Sequence, residues 1–90
     1  MNINTYAQNR INKIMGDSSM SPIKQYYLTL NIEYSLLAYN TGTITKDQAI
    51  DEISKNDIPI SLEDIKFYYD IQEIKRQRAK WNSIKSNKNI

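Results

Sequence analysis

The side chains best suited to chemistry lie close together near the C-terminus: Lys75, Arg76, Arg78, Lys80, Trp81, Ile84 and Lys85. Guanidinium and ammonium groups neutralise phosphates or carboxylates. An indole among them stacks on a base or fills a pocket on a protein partner. Residues 74–90 carry six Lys/Arg and no acid, whereas residues 1–73 carry six Lys/Arg and ten Asp/Glu. The net charge of +2 therefore conceals an acidic body joined to a basic end. That order suggests a segment that binds something negative. These seven residues are the candidate partner-binding set.

Catalytic and metal chemistry find little support elsewhere. The chain has no histidine and no cysteine. It therefore lacks the commonest general base, and disulfides and thiolate zinc sites are excluded. Asp47 and Asp51 stand one helical turn apart beside Glu52, but no third ligand follows at a recognisable spacing. A calcium loop needs alternating acids and a glycine, and neither occurs here. No catalytic residue, metal site or cofactor is expected, and the chain reads as non-enzymatic.

The elements that must position the basic segment follow from periodicity. Ser61–Lys85 reads as one long helix with Ser61 and Asp64 forming a capping box. Glu63 and Asp64 suit the positive end of the helix dipole, and Lys80 and Lys85 suit the negative end. In its first half Leu62, Ile65, Phe67, Tyr68, Tyr69, Ile71 and Ile74 cover one broad arc, which predicts a helix lying on a core. Beyond Ile74 the same arc holds Lys75, Arg76, Arg78 and Lys80. A straight helix cannot bury that face along its whole length, so the pattern predicts a basic end projecting from the body. The competing pattern is a narrow seam, Phe67–Ile71–Ile74–Arg78–Trp81, in which Trp81 packs on another helix and the Arg78 stem bridges the gap.

Three further helices are expected upstream. Ile3, Ala7, Ile11 and Ile14 recur at helical spacing over residues 3–15, with Asn2 or Asn4 as cap and Gly16 as stop. Arg10 and Lys13 fall on the polar side, as a solvated face. Ser21-Pro22 opens a second helix running to about Asn40. One seam runs along Ile23, Tyr27, Leu30, Tyr34 and Leu37, with Tyr26 and Leu36 beside it, and Leu28, Ile32 and Tyr39 form a second stripe, so the helix is expected to be packed by neighbours on two sides. The tyrosines read as core with hydroxyls at the rim rather than as a stacking platform. Gly42 suits a left-handed cap. Thr45 with Gln48 caps a short helix over about Lys46–Lys55, with Ala49, Ile50 and Ile53 inward and Asp47, Asp51 and Glu52 outward. Ile58 and Ile60 are expected to plug the end of the bundle, and Ser86–Ile90 to fray.

The expected architecture is all-α: a small single-domain four-helix bundle, with residues 1–74 as body and 75–90 as basic extension and tail. Thr45–Tyr69 has the outline of a helix-turn-helix, but its turn is long, contains Pro59, and leads into an acidic helix start. The N-terminus lacks the apolar core of a signal peptide and no run is long enough to span a bilayer, so a cytoplasmic protein is expected. The functional expectation is a regulator, adaptor or inhibitor, of the size of small phage- or plasmid-encoded inhibitors. It would dock on a protein or protein–nucleic-acid complex through the Trp81 segment. The alternative is DNA or RNA binding through the same cations.

Overall fold

The computed structural model describes residues 2–88, with side chains described as far as Ile84. Four helices account for it: α1 (Ile3–Met15), α2 (Pro22–Asn40), α3 (Lys46–Ile53) and α4 (Leu62–Lys88). Among the described residues there is no strand, so the chain is all-α as the periodicity predicts. It divides into two compact units, Met1–Pro59 and Ile60–Ile90.

In the first unit, α2 packs on both α1 and α3, and α1 also touches α3. The core is Ile3, Ala7 and Ile14 from α1, Leu28 and Ile32 from α2, and Ala49 and Ile53 from α3. Tyr6, Ile11, Met20, Leu36, Tyr39, Ile44, Ile50 and Ile58 pack around it. Ala7 and Ala49 are almost fully buried, and Leu28, Ile32 and Ile53 are the largest side chains enclosed with them.

The capping chemistry follows the sequence closely. The Asn2 side chain accepts from the Asn4 and Thr5 N–H groups at 2.9 and 3.3 Å. Ser21 accepts from Lys24 N–H at 3.3 Å, with Pro22 at the first helical position. Thr45 and Gln48 form a reciprocal capping box at 2.8 and 3.2 Å. After α2 the chain closes a Schellman motif: Thr43 N–H donates to Ala38 O at 2.8 Å and Gly42 N–H to Tyr39 O at 3.0 Å. Gly42 sits at φ 78°, where a Cβ is strained. Gly16 also ends a helix, but with φ −86°. It uses no left-handed freedom.

Three expectations are corrected. Of the two stripes expected to be packed on α2, Ile23–Tyr27–Leu30–Tyr34–Leu37 holds no fully buried residue. Leu28 and Ile32 are buried, together with Ser35, while Tyr34 and Leu37 are 63% and 59% exposed. Apolar periodicity alone makes both stripes look covered, and the face that is buried includes a serine. Ser35 Oγ donates to Asn31 O at 2.8 Å, so its burial leaves no unmade hydrogen bond.

Arg10 is not part of a solvated face. Its guanidinium donates to Ile53 O at 3.3 Å, Lys55 O at 3.0 Å and Asn56 Oδ1 at 3.1 Å. It thereby ties α1 to the carbonyls that α3 leaves unpaired at its end. The Tyr6 and Ser54 hydroxyls hydrogen-bond at the same junction.

Glu52 is half-buried rather than outward. Its carboxylate meets Lys55 Nζ at 2.9 Å, and Asn31 Nδ2 donates to its backbone oxygen at 3.3 Å.

Candidate interaction helix

α4 begins as its sequence requires. Ser61 Oγ accepts from Asp64 N–H at 3.1 Å, and Asp64 Oδ2 accepts from Ser61 N–H at 2.9 Å. Glu63 and Asp64 occupy the first turn. The helix then runs without interruption for 27 residues. At 1.5 Å per residue that is about 40 Å. It crosses residue 75 without a break and continues to Lys88, through most of the segment expected to fray. Asn89 and Ile90 lie outside the described residues.

The expected broad apolar arc is mostly open. Ile65, Tyr68 and Ile71 are half-buried. Leu62, Phe67, Tyr69 and Ile74 are exposed, Phe67 at 52% and Ile74 at 54%. No described residue of 60–84 is buried. The seven apolar residues span too wide an arc for one contact face, so periodicity overstated how much of the helix is covered.

Of the candidate residues, Lys75, Arg76, Arg78 and Lys80 are all exposed. Trp81 is 61% exposed and Ile84 41%. The side chain of Lys85 lies outside the described residues. Glu73 organises the entry to this segment: its carboxylate pairs with Arg76 Nη1 at 3.1 Å and accepts from Gln77 Nε2 at 3.1 Å. Both partners sit one turn further along the helix, where such contacts stabilise it locally. Arg76 is still three-quarters exposed, so the pair is weak and an external acid can displace Glu73.

The segment offers an apolar plate set among cations. Among its described residues no nucleophile stands beside a base and no carboxylates converge. Among the described residues no group of three or more acidic side chains is placed to hold a metal ion. The first unit carries an open depression of about 210 Å³ lined by Arg10, Lys13, Ile14, Asp17, Met20, Leu28 and Asn56. Arg10 is already committed to backbone carbonyls there. The Asp17 carboxyl accepts from the Ser19 hydroxyl at 2.6 Å, which holds its pKa below the ordinary range. Sequence reasoning had not pointed to this depression, because Arg10 and Lys13 read as solvated.

Among the described residues no helix is long and apolar enough to cross a membrane. No family model matches the chain, and neither the curated proteins nor the solved structures contain a match. The class defined by fold and site is therefore an all-α chain with an exposed, basic, tryptophan-bearing helix end.

Proposed function

We propose that the protein is a small non-enzymatic interaction protein, a regulator, adaptor or inhibitor. It docks on a protein or protein–nucleic-acid complex through Lys75, Arg76, Arg78, Lys80, Trp81, Ile84 and Lys85. The observation that carries this reading is the exposure of Trp81 among cations in a stretch with no acid. Trp and Arg dominate binding energies at protein interfaces, and leaving an indole in water forfeits apolar burial.

The second reading is nucleic-acid binding by the same segment, favoured by its six cations and by an indole free to stack. A salt series separates the two. Phosphate contacts release counterions, so log K falls with log salt by about 0.9 per contact on duplex DNA. Replacing Arg76, Arg78 and Lys80 by Ala then flattens the slope by about 2.7. For a protein partner, Trp81→Ala has the larger effect and acts mainly on dissociation.

The experiment is recovery of partners from the host with and without nuclease, using wild type, Trp81→Ala and a chain ending at Ile74. The docking reading requires partners that persist after nuclease and are lost with Trp81→Ala. The shortened chain should lose binding while still melting cooperatively, because every buried core residue lies before residue 54. Tight binding to random duplex that survives Trp81→Ala would select the second reading.

A further inference from the structure

The exposed apolar residues of α4 do not scatter. Phe67, Ile74 and Trp81 follow one another at intervals of seven, and all three are more than half exposed. Seven residues fall about 20° short of two full turns, so the three share one slightly inclined stripe. At 100° per residue, Ile65, Tyr68 and Ile71 centre about a third of a turn away, and these are the half-buried ones. The stripe is thus a second face of the same helix.

The positions on that stripe, within about 40° of Ile74, include Glu63, Phe67, Asp70, Ile74, Arg78, Trp81 and Lys85. Their spacing is 4, 3, 4 before and after Ile74, and therefore reads the same in both directions. Reversal about Ile74 brings Phe67 to Trp81, Asp70 to Arg78 and Glu63 to Lys85. Each acid meets a base and each aromatic meets an aromatic. Glu63, Asp70 and Arg78 are all exposed, and none of them takes part in the Glu73–Arg76 pair.

A face that complements its own reversal is what a two-fold axis requires, since residue i must meet j while j meets i. We propose that α4 pairs antiparallel with α4 of a second copy of this chain, with the two-fold axis at Ile74. Ile74 packs on Ile74 of the second copy, and Phe67 and Trp81 close the apolar contact on either side. Asp70–Arg78 pairs, occurring twice, set direction and register. A parallel pair would place Asp70 on Asp70 and Arg78 on Arg78, so like charges select against it.

Self-pairing does not depend on the proposed docking function, although it occupies Trp81. Lys75, Arg76 and Lys80 lie off the stripe and stay available in the dimer.

The test uses the full chain. Sedimentation equilibrium should show a monomer–dimer equilibrium, and emission of Trp81, the only tryptophan, should shift to shorter wavelength as dimer forms. Asp70→Arg and Arg78→Asp should each weaken the dimer about tenfold, because each creates two like-charge contacts. The double variant should return to within about threefold of wild type, since the swap restores both pairs. Rescue by the double variant cannot be mistaken for misfolding of the single ones.

A chain still monomeric at about 0.5 mM overturns the proposal, because any dissociation constant below millimolar would show there. So does a dimer indifferent to both single changes, or one that the double change fails to restore. A monomer that still binds a host partner through Trp81 would leave the docking function standing. A charge-swappable dimer with no partner would do the reverse.

Discussion

The two compact units hold their helices by different means. In Met1–Pro59, three helices share seven buried apolar side chains, and the polar groups at their junctions are tied by Arg10, Tyr6 and Gln25. In Ile60–Ile90, no described side chain is buried, and α4 rests on its capping box, on Glu73 with its two one-turn partners, and on helix-forming residues. Isolated helices gain only a few tenths of a kcal/mol from each such pair. Phe67, Ile74 and Trp81 are left more than half exposed along α4. The first unit is held by a shared apolar core, whereas the described part of α4 buries no side chain fully.

The largest expected effect breaks the first unit. Leu28→Asp should abolish cooperative thermal unfolding, because Leu28 is 1% exposed and a carboxylate there would be stripped of its water inside the core. Leu28→Ala should cost about 2–5 kcal/mol in urea unfolding. Leu37→Ala, on the opposite stripe of the same helix, should stay within about 0.5 kcal/mol. Equal losses at the two positions would mean that both stripes of α2 are core.

Much of the fold is legible in the sequence, because caps are local chemistry. Asn2, Ser21, Thr45 and Ser61 each mark a helix start to within a residue, and Gly42 marks a helix end. The choice of buried stripe on α2 is not local. It depends on which side of α2 meets the core residues of α1 and α3, and one helix read alone contains no sign of that. The same blindness made Arg10 look like a solvated cation. Its partners are the carbonyls of Ile53 and Lys55, more than forty residues away in sequence. For α4, composition alone located the basic end and Trp81. The apolar arc misled, because apolar periodicity cannot distinguish a face covered within the chain from one left open.

Arg10→Ala comes next in size. It should cost about 1–3 kcal/mol, since it removes charged hydrogen bonds to two carbonyls and the Asn56 amide oxygen. Arg10→Lys should recover only part, because one ammonium cannot reproduce the guanidinium fork. Hydrogen exchange should locate the damage at the end of α3, and an unchanged exchange rate there would refute the clamp.

Gly42→Ala should lower stability by about 1 kcal/mol through the strain of a side chain at φ 78°. Nothing lies within 4 Å of the added Cβ, so sterics with neighbours play no part. Gly16→Ala is the paired control. At φ −86° it carries no such strain, and only Asn12 O, 3.2 Å from the new Cβ, has to adjust. Its effect should be within about 0.5 kcal/mol. Melting curves of the two variants that coincide would remove the special role of the α2 cap.

The smallest expected effect concerns pH and stays within the first unit. The Lys55 ammonium, at 2.9 Å, holds the Glu52 carboxyl below its ordinary pKa, and the Asn31 amide adds to this. A depressed folded-state pKa means that the unfolded chain binds the proton more readily. The resulting stability is therefore fully present above the ordinary carboxylate range. It is lost as pH falls through that range and then through the lower folded value. Glu52→Gln should consequently reduce stability at neutral pH slightly and leave it unchanged in acid, where wild-type Glu52 is itself protonated. With more than a third of each side chain exposed, salt should shrink the difference. Denaturant midpoints for the two proteins should thus converge as pH is lowered. A gap that stayed constant across the acid range would show that Glu52 acts through its packing against Asn31 rather than through its charge.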